Sequence, residues 1–215
     1  MLSLFGAYEG VDFIIVAIAF LFAIIIALSF HEFAHAFVAY KCGDTTPKMQ
    51  GRITLNPLKH IEPIGFLCCA LFGFGWAKPV KVQSINFRNF KKGNGLTAVA
   101  GVAMNLILAF IGCGFYSGLI LIQSQNIFLK ILIYFFYYTY IINICLAVFN
   151  ILPIYPLDGF KLVENYTKYG NSYVEFMYKY GTLVLLGIVF IFDDLLSLLI
   201  GYVSLPIQLF WKLIF

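Results

Sequence analysis

His31, Glu32 and His35, in "ALSFHEFAHAFVAY" (residues 27–40), stand near the end of an apolar run that begins about Val11. Ionisable groups inside such a run are costly unless they are paired, neutral or bound to something. Their spacing is H-E-x-x-H. On an α-helix, residues i and i+4 lie about 40° apart around the axis and about 6 Å apart along it, so both imidazoles can reach one ion from the same face. Glu32 projects about 100° from His31, close enough to contact a water on that ion but poorly aimed to be a ligand. This is the arrangement of a zinc hydrolase: two nitrogen ligands, a third ligand from elsewhere, an open position for water, and a carboxylate to take its proton. A lone buried histidine is more often a hydrogen-bonded core residue than a ligand. Here the chain has only three histidines, and two of them flank this glutamate. Zn2+ is the expected cofactor.

The elements that must position these groups follow from composition. Of 215 residues, 62% are hydrophobic and 11% charged, with a mean hydropathy of +0.92. That is far from a soluble domain and identifies an integral membrane protein in the lipid bilayer. Apolar segments run from Val11 to Tyr40, Leu96 to Gln123, Ile127 to Pro153 and Tyr173 to Phe215. Asp193 and Asp194 divide the last into two spans or a helical hairpin. The expected fold class is all-α, a polytopic bundle of about four to six transmembrane or re-entrant helices. Acidic Glu9 and Asp12 precede the first run, the reverse of a basic leader, so it reads as a retained span. The insert "IGFLCCALFGFGW" (64–76) is short and glycine-rich and reads as re-entrant or interfacial. "KMQGRITLNP" (48–57) alternates enough to predict a short β segment at the membrane edge. No fixed-period repeat is visible, and the chain reads as one domain, 1–215. The five cysteines form no C-x-x-C and imply neither disulfides nor a metal cluster.

Nine of the fourteen lysines and arginines fall between residues 41 and 92, against Asp44 and Glu62. A nucleic-acid surface could look like this, but between spans it reads as the basic bias of a cytoplasmic loop, so no nucleic-acid partner is expected. If the first span enters from outside, then 123–126 lies outside, 157–170 inside and Asp193-Asp194 outside, and only Lys130 breaks the rule. That topology brings Asp158, in "FNILPIYPLDGF" (149–160), to the end of the bundle that holds His31 and His35. Its segment is broken there by two prolines and a glycine. Asp158 is the candidate third ligand; the alternative is an ordinary carboxylate capping the next helix.

The pairing of "FHEFAH" with "NILPIYPLDG" resembles the site-2 protease family of intramembrane zinc metalloproteases, in its compact form without a PDZ or CBS domain. Further blocks resemble the family in matching order: "AYKCGDTTPKMQGRITLNPLKHIEPIG" (39–65), "GWAKPV" (75–80) and "AGVAMN" (100–105). The resemblance implies His31, His35 and Asp158 as zinc ligands and Glu32 as general base. It also implies that Asn105 faces the active site, either donating to a developing oxyanion or holding substrate; the alternative is an interhelical hydrogen bond. Asn150 could pin the broken helix near Asp158. His60 reads as structural, and Trp76 and Lys78 as interfacial anchors or as lining of a substrate path. The chain departs from the family pattern at Val102, Glu62 and Tyr155, which bears on loop shape and substrate preference.

The implied activity is hydrolysis of peptide bonds in or near the transmembrane segment of a single-span membrane protein, as in regulated intramembrane proteolysis. Residues 49–57 and 64–76 are expected to pair with an unwound substrate by strand addition. The implied location is a bacterial inner membrane, with the active site toward the cytoplasm. The rival class is a metal-ion transporter or metal-binding membrane sensor. Such a protein needs no general base beside its ligands and spreads them over several spans.

Overall fold

The computed structural model describes residues 10–72, 76–122, 124, 126–168, 170–191 and 193–215, without the side chains of 69–72, 190 and 193. Its helices are α1 (Gly10–Cys42), α2 (Thr46–Met49), α3 (Pro63–Phe72), α4 (Phe90–Leu119), α5 (Ile127–Ile151), α6 (Asp158–Tyr166), α7 (Ser172–Ile191) and α8 (Asp193–Lys212). Of these, α1, α4, α5 and α8 are long and apolar enough to cross a membrane. The protein is therefore a polytopic helical membrane protein, as expected. The caps are local: Asn89 accepts from the Lys92 amide at 3.0 Å to start α4, and Asn126 accepts from the Phe128 amide at 2.8 Å to start α5.

Helices α1, α4 and α5 pack against one another through small residues. Ala19, Ala23, Ala27, Ala36 and Ala39 of α1 are almost fully buried, as are Ala98 and Ala109 of α4. Lipid tails are as apolar as leucine, so close backbone approach, rather than water exclusion, is what these alanines provide. A methyl at Gly112 of α4 would stand 2.9 Å from the backbone nitrogen of Tyr140 on α5, which only glycine tolerates. At the end remote from His31, Lys130, the expected exception to the charge rule, pairs with Asp12 at 2.5 Å.

Helix α8 lies along the outside of α4 and α5. Trp211 donates to the Phe110 carbonyl at 2.9 Å, and its ring fills the space over Gly114 while Phe215 covers Gly118. Gln208 donates to Tyr140 Oη at 3.0 Å. Ascending numbers on α8 meet ascending numbers on α4, so the two run parallel. This corrects the expected placing of Asp193-Asp194. The start of α8 lies at the same end of the bundle as the start of α4, and Lys212 joins Lys130 at the far end. The reason is α7, which does not run the length of the bundle. Its Val174, Met177, Val184, Leu185 and Ile188 share one hydrophobic cluster with Leu152, Ile154, Tyr155, Leu157 and Phe160, which keeps α7 at the end of the bundle where α6 begins. Hydropathy marked both helices as apolar but carried no direction.

The β segment predicted over 48–57 is not present. Pro47 starts α2, Gly51 turns with φ +64, and Asn56 caps a 3-10 turn at Pro57–Lys59, so the punctuation outweighs the alternation. Among the described residues the only strand-like pairing is an isolated antiparallel bridge between Ile61 and Ala77. The insert at 64–76 contains the ten-residue α3, too short to cross a bilayer; residues 73–75 lie outside the described part, as do 123 and 125 of the expected outer loop.

Candidate metal centre

One face of α1 presents His31 and His35, one turn apart, at the point where α6 begins with Asp158. Between α5 and α6 the chain doubles back within 152–157. A methyl at Gly159 would stand 2.2 Å from the Ile151 carbonyl oxygen, so the return requires glycine there. Phe160, 2% exposed, then anchors α6 among Ile154 and Met177. As a result Asp158 Oδ2 lies 3.2 Å from His31 Nε2 and 2.9 Å from His35 Nε2, and the two Nε2 atoms are 3.0 Å apart. All three side chains are buried.

The surroundings decide what these atoms carry. His35 Nδ1 lies 2.7 Å from the Thr97 carbonyl, which can only accept, so Nδ1 holds the proton and Nε2 points its lone pair at the other two donors. Asp158 Oδ2 has no hydrogen-bond donor. Three atoms bearing lone pairs, buried and within about 3 Å of one another, repel unless they share a cation. Neighbouring donors on a tetrahedral zinc ion stand about 3.3 Å apart, so the set fits such an ion. Among the described residues it is the one group of three or more such donors.

Outside the donors, Asn105, fully buried on α4, places its amide nitrogen 3.1 Å from His31 Nδ1, while its Oδ1 has no partner. A half-turn of the amide gives that oxygen the Nδ1 proton and leaves His31 Nε2 bare, the tautomer that coordination needs. Gly101, one turn earlier, lies under both rings: a β-carbon there would stand 2.4 Å from His31 Cε1 and 2.5 Å from His35 Nε2. Lys161 donates to Asp158 Oδ1 at 2.8 Å, leaving Oδ2 to face the imidazoles.

Glu32 Oε2 accepts from the Val80 amide at 3.0 Å. It lines a cavity of about 890 Å³ together with His35, Asp158 and Lys161, walled by Val80 on one side and Tyr178 of α7 on the other.

Of the residues singled out from the sequence, His31, Glu32, His35, Asp158 and Asn105 are brought together. Asn150 is not: its amide donates to the Leu146 carbonyl one turn back at 2.9 Å, satisfying its own helix rather than reaching Asp158. His60 is fully buried, with Nε2 2.7 Å from the Thr54 carbonyl, and stands apart from the centre. Gly101, Lys161 and Val80 were missed. Lys161, at i+3 from Asp158, was within reach of helical spacing; Val80 acts through its backbone and left no signal in its side chain.

The fold and site together define a polytopic membrane protein in which two buried histidines and a buried aspartate lie close enough to hold one metal ion, beside a further carboxylate. The profile of peptidase family M50 matches residues 112–191, the stretch containing Asp158. Over 147 residues the chain is 42% identical to YwhC of Bacillus subtilis, named as a candidate zinc metalloprotease, with 66% of each chain covered. It is 29% identical over 175 residues to Rip2 of Mycolicibacterium smegmatis, and 30% identical over 154 residues to MJ0611 of Methanocaldococcus jannaschii, both named likewise. The alignments cover 59% of the Rip2 chain and 72% of MJ0611, so the chain spans about two thirds or less of the first two relatives. No solved structure matches significantly. The chain belongs to the M50, or site-2 protease, family.

Proposed function

We propose that the protein is an intramembrane zinc metalloendopeptidase, cutting peptide bonds in or near the transmembrane segment of single-span membrane proteins in regulated proteolysis. The observation that carries this reading is the convergence of three potential ligand atoms, from α1 and α6, beside a glutamate that opens on a substrate-sized cavity. His31, His35 and Asp158 would hold the ion. When bound, zinc supplies a Lewis acid and a water acidified toward neutrality. Glu32 takes the proton of the attacking water and returns it to the leaving amine. The Val80 amide holds one carboxylate oxygen of Glu32, leaving the other free to receive that proton. Thr97 and Asn105 fix the two imidazoles so that no rotation accompanies the reaction.

A helical peptide bond shields its carbonyl, so the substrate enters as an unwound segment through the cavity mouth. The expected pairing with 49–57 has no strand to support it; the extended residues around Val80 and Val82 line the cavity instead. All the basic residues except Lys130 and Lys212 belong to the end of the bundle carrying the site, which supports a cytoplasmic active site, in a bacterial inner membrane. Against the transporter reading, the polar donors are gathered at one end around one carboxylate. The test is Glu32→Gln in purified protein, with zinc content and cleavage of a single-span substrate both measured. We expect full zinc and no cleavage; a variant that still cuts removes Glu32 from the mechanism.

A further inference from the structure

Residues 77–83 form an extended strap across the site, held at several points by groups from distant parts of the chain. At one end, Gln83 donates its amide to Asp44 at 2.7 Å. Near the middle, the Val80 amide donates to Glu32. At the other end the Lys78 amide donates to the His60 carbonyl at 2.8 Å, and Ala77 bridges to Ile61. The last hold is Arg52, whose Nη1 donates both to the Lys59 carbonyl and, at 3.2 Å, to the Lys78 carbonyl. Arg52 is 7% exposed, and among the described residues no carboxylate pairs with it. A buried cation without an anion is costly. What it provides here is a planar fork that adds a further tie between the backbone at Lys59 and that at Lys78, beside the Lys78–His60 hydrogen bond and the Ile61–Ala77 bridge.

Resting on the reading of Glu32 as general base, we propose that Arg52 is a positioning residue for catalysis. It locks Lys78 and Lys59 in register, so that two residues further on the Val80 amide meets the Glu32 carboxylate. Pro79, between the two held positions, has a fixed φ and no amide hydrogen, so displacement at Lys78 passes directly to Val80. Arg52 touches neither the donors nor Glu32. Its loss therefore leaves zinc in place and frees the base to wander. A displacement of about 1 Å at a reacting group costs on the order of 10²-fold in rate.

The experiment uses the full chain in lipid nanodiscs, as wild type, Arg52→Met, Arg52→Lys, Glu32→Gln and Glu32→Ala. Amide exchange of 76–82, zinc content and the kinetics of cleavage are read in each. Arg52→Met should keep its zinc and a KM within about twofold of wild type, while kcat falls roughly 10²-fold and exchange at Val80 rises at least tenfold. Arg52→Lys, which keeps a donor, should recover part of both. Glu32→Ala should raise Val80 exchange, and Glu32→Gln, which keeps an acceptor oxygen, should not. Unchanged Val80 exchange in Arg52→Met and Glu32→Ala, or a kcat loss accompanied by equal zinc loss, overturns the proposal. If Arg52→Met does not fold, Arg52→Lys and the Glu32 pair decide it on the same readouts. Should the wild type cut no membrane substrate, the proteolytic reading fails, while the exchange comparison still decides whether Arg52 holds the strap.

Discussion

Asn105 and His31, 74 residues apart in the chain, meet at 3.1 Å between the side-chain amide and the ring Nδ1, both buried. The contact lies on the side of the imidazole away from Asp158, so it sets which nitrogen is bare without competing for the ion. Asn105→Ala should weaken zinc affinity by about 10–100-fold. Asn105→Asp, which still offers an acceptor oxygen to the ring N–H, should lose less. Competition titration against a chelator measures both, and equal affinities for wild type and Asn105→Ala would exclude the role.

Gly101→Ala adds a carbon into space already filled by two imidazole rings. Backbone and rings must separate, so we expect bound zinc to drop to a small fraction of the wild-type value while far-UV helicity is kept. Metal analysis of the purified variant decides this, and full occupancy would show that the helices can move apart without harm.

The partners of Asp158 should differ in weight. Asp158→Ala removes one of three donors and should leave little metal bound. Lys161→Met should cost less than about tenfold in affinity, because the Lys161 side chain is 58% exposed and its charge is screened. A larger loss in Lys161→Met than in Asp158→Ala would reverse the assignment of which group meets the ion.

Asp44 gives a pH dependence outside the membrane spans. Burial pushes its carboxyl up, but hydrogen bonds from Asn86, Thr46 and Gln83 outweigh this and hold it below its ordinary value of 3.8. A depressed carboxylate stabilises the fold fully above its unfolded value, and that stability is lost as pH falls through the folded one. Asp44→Asn should therefore be less stable than wild type at pH 7, by about 1–3 kcal/mol. The gap should shrink below about pH 4. Thermal melts of both proteins from pH 3 to 7 test the sign, and a gap that widens in acid would refute it.

The histidines and Glu32 were legible because their geometry is contained in one helical turn. Asp158 was legible because a proline-broken span has few ways to end. The strap was not, because Arg52, Asp44 and His60 act on backbone amides and carbonyls up to 39 residues away, and such bonds leave no pattern in side-chain type. Alternation in 48–57 misled for the same reason that it often succeeds: period two describes which faces side chains take, while Pro47, Gly51 and Asn56 decide whether the backbone can extend at all. The course of α7 and α8 was hidden because apolarity is shared by a helix that crosses the bundle and one that caps its end.

Position 101 also has a genetic reading. Every missense change at this codon, at its first or second base, adds at least a β-carbon, and that carbon would meet the histidine rings at 2.4–2.7 Å. Missense alleles at this codon should therefore behave as nulls in a complementation screen, making it a locus where chemical conservatism in the replacement gives no protection.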